Sequence, residues 1–287
     1  MSKKRVALVI GSGSVKCAAA LGLQNVLTRA GVQVDMYVGC SGGSLYAASL
    51  AMGNDTTRTA DLVRRLWTKE VISKRHTLSL LRAAMPRFFR FDDTFGLRDD
   101  RMVVKNIREA FGETVIESAR TPLYVTATDL ANGEQVVFSS GRLVDALRAS
   151  IALPYIFRPW PVDGKLLIDG FMSDPLPVNV AMREGADVII AMGFESPFQE
   201  NLTSVGLFSF QLSSIMTNNL LKSRFSFHNF AHHSEVIQII PEFRERVRVF
   251  DTEKIPYIIE EGERAAEMQL PYIRRLLGRD NVGQAAS

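Results

Sequence analysis

Val6-Ala7-Leu8-Val9-Ile10-Gly11-Ser12-Gly13-Ser14 and, further on, Met36-Tyr37-Val38-Gly39-Cys40-Ser41-Gly42-Gly43 are two copies of one pattern, a short apolar run broken by glycine and serine. After the first, the alanine- and leucine-rich Val15 to Ala30 reads as a helix stopped by Gly31; after the second, Ser44 to Met52 reads as another, stopped by Gly53. Val32 to Cys40 is the strand between them. Strand, tight turn and helix, twice in succession, is the βαβ signature of parallel strands covered by helices. The fold class expected is α/β, with a mostly parallel sheet sandwiched between helices.

The rest of the chain continues the alternation. Helices are expected over Asp61 to Val71, Arg101 to Phe111, Asp145 to Ile151, Val178 to Glu184 and Thr252 to Leu277. Strands are expected over Pro122 to Thr128 and Glu134 to Phe138 around the Asn132-Gly133 turn, then Lys165 to Ile168, Val188 to Gly193 and Val236 to Ile240. No linker-like stretch or long repeat divides them, so residues 5–277 read as a single domain and 278–287 as a polar tail.

Composition excludes several classes. At 287 residues with 46% apolar and 23% charged residues, the chain falls outside the collagenous and largely disordered ranges. Two cysteines, Cys17 and Cys40, are too few for a disulfide framework or an all-cysteine zinc site, which favours a reducing, cytoplasmic setting. The net charge of +3 conceals a split, about +10 up to Phe91 and −7 beyond it, which suits contact with an anionic surface. Only Val6 to Ile10 follows the basic start as an apolar run, too short for a secretory signal, and no stretch reads as a membrane span.

Gly39-Cys40-Ser41-Gly42-Gly43 fits G-x-S-x-G at a strand-to-helix turn, where glycines permit a sharp elbow and the serine hydroxyl is presented at a helix N-terminus. Gly11-Ser12-Gly13-Ser14 occupies the equivalent turn and can aim backbone N–H groups at an oxyanion over Ser41. The same loop admits a dinucleotide reading, with Asp35 near the ribose-binding position, although Lys16 stands where a third glycine belongs. For the base, the order Ser41, Asp169, His232 satisfies an α/β-hydrolase triad, but too few strands precede Ser41 for that fold. Asp169-Gly170 ends an apolar strand and begins a loop, where a carboxylate can reach across the top of a parallel sheet, and a Ser-Asp dyad needs no histidine.

Taken together, Gly11 to Gly22, Gly39 to Ser44 and Ala152 to Val178 resemble the patatin-like phospholipases, over about Arg5 to Gly193. The resemblance implies a patatin-like α/β fold and a serine hydrolase of carboxylic esters in (lyso)phospholipids or related lipids. It makes Ser41 the nucleophile in the elbow with Gly39 and Gly43, Asp169 its partner in the motif with Gly170 and Phe171, and Gly11, Ser12, Gly13, Ser14, Lys16 and Gly42 the oxyanion hole. The chain departs from the family pattern at Ser12, Ser14, Cys17 and Phe171. A catalytically weak lipid-binding or regulatory homologue is the alternative those departures leave open.

Five basic residues between Ser73 and Phe91 interleave with Leu and Phe; Arg82, Arg87, Phe88, Phe89 and Arg90 are the candidate lipid interface, against the plainer reading of a helix packed on the core. Val205, Phe208, Leu212, Ile215, Met216 and Leu220, near helical spacing, suit a helix packed in the core, a dimer face in a homo-oligomer, or a lid or lipid-contacting helix. Expected partners are a lipid substrate and a peripheral membrane surface, with no nucleic acid, since no binding motif accompanies the basic stretch. No cofactor and no metal are implied.

Overall fold

The structure, a computed structural model, describes residues 3–67, 96, 99–196, 198, 201–203, 205–231 and 235–278. Its centre is a twisted sheet. Strands β1 (Val6–Ile10), β2 (Met36–Cys40), β3 (Leu123–Asp129), β7 (Val188–Met192) and β8 (Glu235–Ile239) run parallel in the spatial sequence β3-β2-β1-β7-β8. Three further strands are antiparallel: β4 (Gln135–Phe138) and β6 (Lys165–Asp169) pair with β3, and β5 (Trp160–Val162) pairs with β6.

Burial on both faces explains why β1, β2 and β7 are near-continuous apolar runs rather than alternating ones. Val6, Leu8 and Ile10 pack on one side; Ala7 and Val9 pack on the other. The first side carries α1 (Ala19–Arg29), α2 (Gly42–Ala51), α3 (Thr56–Leu66), α4 (Arg101–Phe111), α5 (Leu143–Ser150) and α8 (Ile255–Leu276). The second carries α6 (Val178–Arg183) and Leu221 of α7 (Val205–Ala231).

Several boundaries differ from expectation for physical reasons. The chain enters α1 through a 3₁₀ turn, Ser14–Ala18, because Ser14 adopts a positive φ and cannot begin an α-helix. Helix α2 starts at Gly42 rather than Ser44, so both glycines belong to its first turn. Strand β2 is shorter than Val32 to Cys40, since the Asp35 carboxylate accepts from the Val6 N–H just ahead of the ladder. Strand β5 has no signal in the sequence because proline sits at its centre.

Helix α7 inverts the core-packed reading, one of the alternatives its apolar spacing allowed. Ser214, Thr217, Asn218 and Leu221 are buried, whereas Phe208, Leu212, Ile215 and Met216 are exposed. Asn218 explains the inversion in part: its amide accepts from Ser196 N–H and donates to Ser196 O, at 2.8 and 3.0 Å, and so holds the loop that follows β7.

Among the largest fully buried side chains is Arg148 of α5. Its guanidinium donates to Asp100 at 2.7 Å and to the Arg158 carbonyl at 2.9 Å, and lies over the rings of Phe157 and Trp160. Asp100 also receives Arg158 at 2.8 Å. Burial works against the Asp100 charge, but the two guanidinium groups outweigh it and hold the carboxyl below its ordinary value. This cluster fixes α5 to the start of α4. Replacing Asp100 by Ala leaves Arg148 buried without its counter-charge, and the cost expected in a urea titration is on the order of 3 kcal/mol.

Candidate active site

A strand has two edges, yet β3 has three partners. Strand β2 pairs with residues 123–126 and β6 with 127–129, while β4 spans 125–128 and overlaps both. Strands β2 and β6 therefore share one edge, approaching from opposite directions and meeting end to end. Ser41 follows the last residue of β2; Asp169 is the last residue of β6. The meeting point brings the two side chains together, and Ser41 Oγ donates to Asp169 Oδ2 at 2.7 Å.

Ser41 sits at φ 53°, ψ −131°, outside the regions an L-residue prefers, a strain of roughly 1–3 kcal/mol that the surroundings must hold in place. Its N–H donates to Ser150 Oγ at 2.9 Å. Its carbonyl accepts from Ser44 N–H and Ser44 Oγ. The glycines that follow are required by close approach. A Cβ on Gly42 would lie 2.6 Å from Ser14 Cα, and one on Gly43 would lie 2.4 Å from the Ile10 carbonyl oxygen. The loop after β1 thus rests directly on the elbow, as the Ile10–Gly39 register implies.

In that loop, Gly11 N–H donates to Met192 O and Ser12 N–H to Pro175 O, so these two donors hold the loop to its neighbours. Ser14 carries φ 54°, and its hydroxyl donates to the Val249 carbonyl. Lys16 Nζ donates to the Glu195 carbonyl at 3.0 Å and lies over the Phe243 ring; burial lowers its pKa. Cys17 and Cys40 are buried free thiols, pushed well up by burial and then by the nearby Asp169 charge, which leaves them protonated and inert.

Asp169 is 1% exposed. Burial raises its pKa from 3.8 to about 7, against the lowering effect of hydrogen bonds from Ser41 and from the Phe171 N–H. The Phe171 bond reaches Oδ1 at 3.1 Å, so each carboxylate oxygen accepts one donor. The Asp169 main chain is held as well: its N–H donates to Ala152 O, and Thr128 Oγ1 donates to its carbonyl.

Ser41, Asp169, Gly42, Gly43, Gly170, Phe171 and the loop from Gly11 to Lys16 thus converge on one end of the sheet. Asp35 does not: it precedes β2, at the opposite end of the strand from Gly11, and its carboxylate is engaged by Val6 N–H and Lys3. A ribose-binding role beside the glycine loop is therefore corrected. The lipid-interface candidates Arg82, Arg87, Phe88, Phe89 and Arg90, and also His232, lie outside the described residues. Sequence reasoning missed Ser150, Thr128 and Val249. Ser150 ends an otherwise ordinary amphipathic helix, and the only signal was its place two residues before the Ala152 to Val178 motif. Among the described residues no group of three or more His, Cys, Asp or Glu is placed to hold a metal, and no helix is long and apolar enough to cross a membrane.

Comparison with known proteins agrees with this architecture. A family model described as patatin-like phospholipase matches residues 8–182. An uncharacterized NTE family protein of Mycobacterium tuberculosis is 32% identical over 191 residues, 67% of this chain and 49% of that one. Neuropathy target esterase sws of Drosophila melanogaster is 30% identical over 203 residues, 70% of this chain and 14% of its own length. The crystal structure of VipD from Legionella pneumophila has a TM-score of 0.50 at 14% identity, over 94% of this chain and 67% of that chain, and so shares the fold. This chain spans about half the length of the mycobacterial relatives. Matched by the family model over more than half of its length, the chain belongs to the patatin-like phospholipase family.

Proposed function

We propose that the protein hydrolyses carboxylic esters of lipids, (lyso)phospholipids or related molecules, through an acyl-serine formed on Ser41 with Asp169 as the base. The observation that carries this reading is the 2.7 Å hydrogen bond between Ser41 Oγ and a buried carboxylate, made by a serine at a sharp strand-to-helix elbow. Asp169 accepts the Ser41 proton as Oγ attacks the ester carbonyl. The N–H groups of Gly13 and Ser14, with that of Gly42 at the start of α2, stabilise the oxyanion. Asp169 returns the proton to the departing alcohol, then takes one from the water that attacks the acyl-serine and passes it to Ser41 Oγ as the bond to the acyl carbon breaks and the fatty acid leaves. Burial makes the carboxylate a stronger base than an exposed aspartate, which supplies part of what a histidine supplies elsewhere.

The family's name and the esterase among its relatives support a lipid ester as substrate. Contact with a lipid surface is supported by the exposed side chains of Phe208, Leu212, Ile215 and Met216 on α7, in a stretch, Asn201 to Leu221, that carries no charged residue. The weakly active alternative loses part of its argument at Ser14, whose positive φ comes with a hydrogen bond from its hydroxyl.

A fluorophosphonate probe should label the wild-type protein and not Ser41→Ala. Asp169→Asn should lower ester turnover roughly 10²- to 10⁴-fold while the protein remains folded by circular dichroism. Labelling of Ser41→Ala at the wild-type rate would sink the assignment.

The base must be ionised, so kcat/KM should climb about tenfold per pH unit on the acid side and level off above a pH of about 7. The same shift makes the carboxylate a stability cost. The unfolded chain releases this proton near 3.8 and the folded chain near 7, so the stability contribution falls as pH rises through that window. Asp169→Asn should accordingly melt higher than wild type at pH 8, with the gap closing towards pH 4.

In vesicle flotation, Leu212→Asp and Met216→Asp should weaken binding to anionic vesicles and slow hydrolysis of vesicle-borne lipid. Turnover of a soluble short-chain ester should be unchanged. Equal flotation of wild type and variants would remove α7 as the contact.

A further inference from the structure

We infer that Ser150 is a positioning residue for Ser41, its hydroxyl holding the main-chain N–H of the nucleophile so that the strained elbow keeps Oγ on Asp169. Only the rate measurements below rest on the hydrolase reading; the hydrogen bond and its structural consequence do not.

An N–H at the start of a helix has no intrahelical acceptor and must find a partner elsewhere. For Ser41 that acceptor is Ser150 Oγ at 2.9 Å, on a side chain fully removed from solvent. The bond fixes the orientation of the peptide that precedes Ser41. It thereby opposes relaxation of φ from 53° towards the negative values an L-residue prefers, a rotation that would swing Oγ away from the carboxylate.

The same turn of chain also holds the partner. Asp169 N–H donates to the Ala152 carbonyl at 3.1 Å. Ile151 N–H bonds to Leu147 O and Ala152 N–H to Ala149 O, so Ser150 and Ala152 move with α5 as one block. The block is itself anchored by the buried Arg148–Asp100 pair, to which the half-exposed Arg158 adds a second cation. Ser41 and Asp169 come from different strands more than a hundred residues apart, yet each has its main chain referenced to a single helix end. Ser150 reaches neither reacting oxygen, and its effect runs entirely through the backbone of its neighbour.

The test compares Ser150→Ala and Ser150→Thr with wild type. Removing the acceptor should slow fluorophosphonate labelling and lower kcat about 10- to 100-fold, with KM on a soluble short-chain ester within about twofold of wild type. Ser150→Thr keeps a hydroxyl and should recover kcat to within about threefold. Amide hydrogen exchange in protein labelled with ¹⁵N-serine reads the bond without turnover. Protection of the Ser41 N–H should fall in Ser150→Ala, while that of Ser49 in α2 stays as in wild type. A Ser150→Ala protein with wild-type labelling and a protected Ser41 amide overturns the proposal, as does a Thr variant as slow as Ala with an unchanged melting temperature. Should wild type itself resist the probe, the hydrolase reading fails, and the exchange measurement decides the role of Ser150 alone.

Discussion

A single edge of β3 serves two strands, and the candidate site exists because of it. Backbone donors and acceptors in a sheet interior must be paired, so when β2 ends at Thr126 of its partner the remaining groups of β3 need another strand. Strand β6 supplies it from the opposite direction. The junction leaves the C-terminal ends of both strands facing each other on the same line. Nothing in the individual strands requires Ser41 to meet Asp169; the shared edge does.

What is brought together there is costly to the fold. A carboxylate with 1% exposure favours its neutral form, and two serines, Ser14 and Ser41, are held at positive φ. The compensations are local. Phe171 N–H and Ser41 Oγ bond to the carboxylate, Ser150 and Ser44 bond to the elbow, and the Val249 carbonyl accepts the Ser14 hydroxyl. Strain of this kind survives only where several partners over-determine the geometry.

Much of this was legible in the sequence, and for identifiable reasons. Apolar runs ended by glycine announced β1 and β2, and G-x-S-x-G announced the elbow, because a sharp turn next to a buried strand restricts which residue types fit. Asp169 was legible as a carboxylate ending a strand. The antiparallel return of β6 was not, since hydrophobic patterning reports burial and not direction. Ser150 was hidden for a related reason: its role depends on a neighbour more than a hundred residues away, and a buried serine at a helix end has no local signature. The apolar spacing in α7 suggested a helix but could not choose between a core-packed and a surface face, a choice made by Asn218, which is drawn inward by the Ser196 backbone.

The family match ends at residue 182, yet the loop over Ser41 depends on chain beyond it. Met192 accepts the Gly11 N–H, Glu195 accepts Lys16, Phe243 lies under its ammonium group, and Val249 accepts Ser14. Ser41 and Asp169 lie within the matched segment, as does Pro175, which accepts from Ser12 N–H, but the other supports of the glycine-serine loop are drawn from β7, from the loop after it and from the stretch between β8 and α8. The Ser14 departure follows from this division. A glycine would satisfy the positive φ without help, whereas serine exchanges that freedom for a hydroxyl that ties the loop to the C-terminal stretch. The loop's geometry therefore depends on the distal stretch as well as on the motif that contains it.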